Sequence, residues 1–304
     1  MAYFGQRSPL LLATLAWAML PAFGGNTPRH RPQETQAEAA KAELPASAHD
    51  LIQRAIDRQM EKPPHPEFST WKEKDVKPRG SSVRQLIETP DGVLARYLER
   101  NGQPLTLEER QREDARVNRL MDPAQMKQKA KQQKDDEDRT LKMLKAIPDA
   151  FFFSYGESTR AANGDTLAHV NFKPNPNFDP PTRECLVFEG MQGEVIVDVE
   201  ALRITKIDGT LFRDVNIGWG LIGHLDKGGR FLVEQQEVYR NHWDQTHMFL
   251  DFTGKALIFK SIRIKDDSTA WEFQPVEMMD VRSALAYLKN KEDGAGRGTA
   301  EAAK

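Results

Sequence analysis

Between Ala150 and Phe273 the chain runs through a succession of short β-prone segments, separated by turn-forming residues and with no helix-length apolar period among them. This spacing limits the fold more than any other feature. Parallel strands need crossover connections of a dozen or more residues, whereas strands joined by a few turn residues pair as an antiparallel meander. The segments are Phe151–Tyr155, Thr166–Phe172, Cys185–Glu189, Glu194–Val199, Leu202–Ile207, Thr210–Ile217, Arg230–Tyr239, Thr246–Phe252 and Lys255–Lys265. Asn163-Gly164, Asp208-Gly209, Gly228-Gly229 and Thr253-Gly254 carry the turn chemistry between them. Val195, Val197 and Val199 alternate with Asp198 and Glu200, the pattern of a strand with one wet face.

Inside this region lies a literal G-x-G-x-x-G at Gly218, Gly220 and Gly223. A dinucleotide loop would need a helix beginning at its end, with its N-terminus facing the pyrophosphate. Only His224-Leu225-Asp226-Lys227 separates Gly223 from Gly228-Gly229, and paired glycines that early stop a helix within one turn. Arg230–Glu234 then reads as a strand. No Gly-Lys-Ser/Thr follows, so the Walker pattern is missing as well. The motif is therefore expected to be a sheet turn or bulge around Trp219.

Upstream, Ser47 with Asp50 resembles a capping box ahead of an apolar face of Leu51, Ile52, Ala55, Ile56 and Met60, which predicts a helix from Ser47 to about Met60 ended by Pro63-Pro64. Strands are expected at Phe68–Val76, Val83–Glu88 and Gly92–Glu99, with Pro90-Asp91-Gly92 as a hairpin turn and Asn101-Gly102 closing the block. From Thr106 to Ile147 the chain reads as helix. Thr106 and Glu109 form a T-x-x-E cap, Asp122-Pro123 restarts the helix, and Pro148 stops it. Lys127–Arg139 is almost wholly charged or amide, a solvated helix face that could also meet a partner. A last helix fits Val281–Lys289.

The first 24 residues have the layout of a secretory signal: Arg7, the apolar run Pro9–Leu20, and Ala22-Phe23-Gly24 at the cleavage end. Residues 25–46 read as a disordered linker, 47–289 as one domain with a helical insert at 105–147, and 290–304 as a disordered tail. The expected location is the periplasm or the outside, with no stable membrane span once the signal is cleaved. A net charge of −2 supplies no basic field for nucleic acid. The lone Cys185 excludes an internal disulfide and sits where a buried, inert thiol is expected.

Taken together, the export signal, the capped helix, the strands, the charged helical stretch and the meander resemble a family of uncharacterised exported bacterial proteins. More distantly they resemble the LolA/LolB/RseB group of periplasmic lipoprotein-binding proteins. The resemblance rests on F-K-P-N-P (Phe172–Pro176), F-E-G-M-Q-G-E-V-I-V-D (Phe188–Asp198), the Ile207-Asp208-Gly209 turn, D-V-N-I-G-W-G and K-G-G-R-F-L-V-E. It covers roughly residues 47–275 and implies an α+β fold, a curved antiparallel sheet or open half-barrel wrapped over helices, with an apolar cavity for acyl chains or lipoproteins. No functional residue of the group maps onto this chain, and the helical insert departs from LolA.

The function expected from these readings is non-enzymatic burial of a hydrophobic ligand, a lipid or lipoprotein acyl chain, with no cofactor. Candidate lining residues are Trp219, Phe231, Trp243, Phe249, Phe259 and Trp271. The alternative is an envelope scaffold with a filled core, meeting a protein partner through Lys127–Arg139. No catalytic motif is present: G-x-S-x-G, H-E-x-x-H and Cys-x-x-Cys are all missing. His242-Trp243-Asp244-Gln245-Thr246-His247 gathers metal-ligand types, but on a strand His242 and Asp244 share one face and His247 points to the other, so no metal is expected.

Overall fold

Helix α1 (Ala48–Met60) begins where the sequence places it, because Ser47 Oγ accepts the Asp50 N–H at 3.1 Å and relieves one unpaired donor of the first turn. In the computed structural model, which describes residues 44–61, 67–120, 122–217, 223–256 and 260–301, the chain is α+β with one large, open antiparallel sheet. Residues 1–24, where an export signal is expected, the expected linker as far as residue 43, Pro63-Pro64, Trp219 and Phe259 lie outside the described residues.

The strands are β1 (Phe68–Lys77), β2 (Gly80–Thr89), β3 (Gly92–Arg100), β4 (Gln103–Pro104), β5 (Phe151–Arg160), β6 (Thr166–Pro174), β7 (Met191–Asp198), β8 (Arg203–Leu211), β9 (Val215–Ile217), β10 (Gly223–Leu225), β11 (Arg230–Tyr239), β12 (His242–Ala256) and β13 (Lys260–Val276). They pair in the order β4-β3-β2-β1-β13-β12-β11-β8-β7-β6-β5, with the β9–β10 hairpin attached to the far end of β12. The remaining helices are α2 (Leu107–Arg119), α3 (Pro123–Ala150) and α4 (Val281–Glu301), and a 3-10 helix covers Glu184–Gly190. Thr106 and Glu109 close a reciprocal capping box on α2, and Asp122 Oδ1 accepts the Ala124 N–H at 2.8 Å to start α3.

Strand alternation and register decide what each face carries. On one face, Val170, Val197, Val233, Leu250 and Phe252 meet Leu51, Ile52 and Ile56 of α1, Met143 and Leu144 near the end of α3, and Phe188 of the 3-10 helix in one buried cluster. Met248 of that cluster pairs with Ser268, Ser268 pairs with Asp75, and Asp75 shares its strand face with Glu73 and Trp71, so the same face continues onto β13, β1 and β2. There it carries a second apolar strip, Trp71, Leu86 and Ala270, with Phe273 stacked on Trp71. The opposite face is packed elsewhere: Ile87 and Leu94 bury Val281, Ala284, Leu285 and Leu288 of α4 together with Val117 of α2. Helices therefore sit on both faces, not on one.

Five expectations are corrected. Cys185–Glu189 is part of the 3-10 helix rather than a strand. Asp208-Gly209 lies within β8, and Thr253-Gly254 within β12, so neither is a turn. Glycine is needed there for close approach: a Cβ on Gly209 would lie 2.4 Å from the Phe231 ring, and one on Gly254 would lie 2.0 Å from the His224 carbonyl oxygen. Pro148 does not stop α3, which runs on to Ala150. The last helix continues to Glu301, past the expected Lys289.

Candidate functional site

Strands β1, β2 and β13 carry a dense charged network on the face shared with Trp71. Arg84 stands directly opposite Glu73 in the β1–β2 register and pairs with it, while its Nη2 lies 2.8 Å from Asp75 Oδ2. Lys77 Nζ bridges Asp75 at 3.3 Å and Asp266 at 3.2 Å. Glu73 and Asp75 are buried. Three carboxylates thus face two cations in a region shielded from water. Among the described residues, Arg84 Nε and Asp266 Oδ1 are buried without a hydrogen-bond partner.

The excess carboxylate has a clear electrostatic signature. Burial pushes the Asp266 carboxyl up to about 6, against the pull of Lys77 and with Asp75 adding to the rise. Burial opposes the charge of Lys77, but Asp75 and Asp266 outweigh it and raise its pKa. Arg84 is likewise raised by Glu73 and Asp75 in spite of burial. A carboxyl whose folded pKa lies above its unfolded value binds its proton more tightly when folded. The stabilising contribution is present below the unfolded value of 3.8 and is lost as pH rises through about 6. The full loss is about 3 kcal/mol, since each tenfold change in proton affinity is worth roughly 1.4 kcal/mol. Asp266→Asn is expected to recover about 1–2 kcal/mol above pH 7, the remainder being offset by the weaker Lys77 contact. Urea unfolding of both proteins between pH 4 and 8 measures this. A variant-minus-native difference that does not grow with pH would show that Asp266 is not buried as a charge.

His242 and His247 lie in different surroundings, on either side of a register shift in the β11–β12 pairing. His242 and Asp244 are buried, and His242 has its Nδ1 3.3 Å from Glu67 and its ring stacked on Tyr239. His247 points away from the buried Met248, and its two nitrogens lie 3.1 Å from Glu234 and 3.0 Å from Asp267. Hydrogen bonds to Asp267 and Glu234 raise its pKa to about 9, so it is a cation at neutral pH and serves as an ion-pair hub. Among the described residues no three His, Cys, Asp or Glu side chains are placed to hold a metal. Cys185 is buried in the main core with its thiol raised by burial, and Thr182 Oγ1 donates to its Sγ at 3.3 Å. None of these groups forms a nucleophile and base pair.

The four aromatic candidates among the described residues, Phe231, Trp243, Phe249 and Trp271, do not share one face. Phe231 is packed inside the main apolar cluster. Phe249 lies half-buried between Met248 and Leu250, hence on the opposite face, and Trp271 likewise alternates with buried Ala270. Trp243 is half-buried beside His242. Trp219 and Phe259 fall outside the described residues. The network of Glu73, Asp75, Lys77, Arg84 and Asp266 escaped sequence reasoning. The available signal was Trp71-Lys72-Glu73-Lys74-Asp75, a strand with charge at both parities, one set of which must face inward.

Along α3, Lys127, Lys131 and Lys134 are exposed and recur at i, i+4 and i+7, forming a basic stripe that runs into exposed Asp135 and Asp138 on the same rows. Gln133, Glu137 and Thr140 face inward: a Cβ on Gly92 would meet the Gln133 amide, burial raises the Glu137 carboxyl, and Thr140 is buried. Among the described residues no helix is long and apolar enough to cross a membrane. Comparison with protein-family models, with curated proteins and with solved structures gave no match.

Proposed function

We propose that the protein is a non-enzymatic interaction module of the cell envelope, in which a filled platform presents the stretch Lys127–Arg139 to a protein partner, its basic part Lys127–Lys134 meeting acidic groups and Asp135–Asp138 basic ones. The observation that carries this reading is the occupation of the sheet by the chain's own helices. Leu51, Ile52 and Ile56 of α1, Met143 and Leu144 of α3, and Phe188 are packed against the strands on the side where a half-barrel of the LolA kind would hold its ligand. A hydrophobic carrier would have to withdraw these side chains, at roughly 1.5–3 kcal/mol for each one re-exposed, before an acyl chain could take their place. The basic stripe needs no such rearrangement. The location outside the cytoplasm is part of the proposal and is supported by the secretory-signal layout of residues 1–24.

Reversing the stripe with Lys127→Glu, Lys131→Glu and Lys134→Glu tests the reading. These residues are exposed, so the thermal midpoint is expected to stay within a degree or two. Binding to the protein partner identified by cross-linking in an envelope extract is expected to fall at least tenfold and to weaken with added salt. Undiminished capture by the reversed protein would end this reading. So would stoichiometric lipid carried through purification together with saturable binding of a fluorescent C16 fatty acid, which would restore the carrier.

A further inference from the structure

The ladder between β1 and β13 ends in a fork. Its last three pairs are Lys74 with Thr269, Asp75 with Ser268 and Val76 with Asp267. Beyond them β1 turns away into its hairpin with β2, while residues 260–265 of β13 pair with β12. Asp266 stands at the mouth of this fork, the first residue of β13 past the last pair with β1. Local opening is easiest where a ladder ends, so this is the point at which the two strands part most readily.

The surroundings of Asp266 make its charge costly there. From β1 it meets Lys77, whose Nζ is 3.2 Å away, and the carboxylates of Asp75 and Glu73. Arg84 of β2 lies beyond Asp75, to which its Nη2 donates at 2.8 Å. From β12 its cross-strand neighbour is Leu250, which is buried and apolar. On β13 itself Lys265 and Asp267 point to the opposite face, where they meet Asp251 and His247. Lys77 is shared between Asp75 and Asp266, and Arg84 between Glu73 and Asp75. Two cations therefore face three carboxylates, and Asp266 Oδ1 is buried without a hydrogen-bond partner. A proton on Asp266 removes the excess charge. An ionised Asp266 is relieved only by water, which reaches it when the fork opens.

We infer that the fork between β1 and β13 is a proton-operated latch, shut while the Asp266 carboxyl carries its proton and loosened when it is ionised, so that residues 74–77 part from β13 while the rest of the sheet stays paired. The direction in pH follows from the two states. In the shut fork burial lifts the carboxyl to about 6, against the pull of Lys77 and with Asp75 and Glu73 adding to the rise. In the open fork it returns to the ordinary value of 3.8. The preference for the shut form is full below the ordinary value and is lost as pH rises through about 6.

Hydrogen exchange of the full chain, followed by mass spectrometry on peptides spanning the fork and on β7 as reference, tests the inference. After correction for the intrinsic pH dependence of exchange, the fork amides are expected to lose protection roughly tenfold or more between about pH 4.5 and 7.5. At the upper end they are expected to exchange faster than the amides of β7 and to ignore ~1 M urea, as a local opening that exposes little surface does. Asp266→Asn carries no charge at any pH and should hold the fork at its low-pH protection throughout. Fork protection that does not change with pH would overturn the inference. So would a pH dependence that survives in Asp266→Asn, or fork amides that exchange only together with those of β7.

Discussion

Phe188→Ala is expected to destabilise the fold by about 3–5 kcal/mol, the cost of truncating a fully buried aromatic ring. Phe188 is 1% exposed and stands at the hinge of the main core. Its ring centroid lies 5.3 Å from Phe151, where α3 gives way to β5, and 6.4 Å from Phe178 in the loop before the 3-10 helix. The 3-10 helix has seven residues and no side-chain cap, so packing rather than local hydrogen bonding keeps it in place. Removing its one large plug leaves a void bordered by α3 and the strands. Since whole domains are stable by about 5–15 kcal/mol, the loss should appear in urea unfolding followed by circular dichroism as a large fall in midpoint. A loss under about 1 kcal/mol would show that the 3-10 segment lies on the core without filling it.

Trp71→Ala is expected to cost a similar amount, about 3–5 kcal/mol, for a different reason. Trp71 is 0% exposed and stacks on Phe273 with centroids 5.9 Å apart and planes 11° apart. The stack depends on a bulge in β13. The register slips between Thr70 and Lys72, and Glu272 takes a left-handed φ of 56°, unusual for a residue with a Cβ, which brings Phe273 under the indole. The strip around Trp71 is a cluster separate from the one around Phe188. The milder pair Phe188→Leu and Trp71→Phe should therefore add to within about 0.5 kcal/mol when combined. A coupling of 1 kcal/mol or more in denaturant melts would show that the two strips behave as one core.

Much of the fold is legible in the residues. Ser47, Thr106 and Asp122 mark helix starts because their side chains satisfy local N–H groups, an effect that needs no tertiary context. Strand segments and the true turns at Asn163-Gly164 and Gly228-Gly229 are legible for the same reason, and Gly164 and Gly228 do take positive φ. Gly209 and Gly254 mislead because a glycine that makes room for a neighbouring strand looks the same in one dimension as a glycine that turns the chain. Leu186, Val187 and Phe188 are strand-like in propensity, yet short turns of 3-10 helix are decided by what lies above and below them. The charged network resists reading most. Glu73 and Asp75 face inward only because Arg84 and Lys77 arrive from the neighbouring strand and from further along the same one, and register is a property of pairs, not of a segment. The aromatic candidates rest on residue type alone, and alternation sends Phe231 and Phe249 to opposite faces.

One pairing also dictates the order in which the molecule can be assembled. β1 finds its second neighbour only in β13, so Phe68 meets Val276, and Lys72 meets Glu272 across a separation of 200 residues in the chain. As the chain is made, the block β1–β4 waits with β1 unpaired on one side and the meander from β5 to β12 waits with β12 unpaired on one side, and the last strand is the seam that joins them. Contacts this distant close slowly, since the loop entropy is spent before any pairing rewards it. A chain ending before Lys260 keeps all but one of its sheet strands, yet it is two half-sheets with exposed seams, the form most prone to pairing with the wrong neighbour.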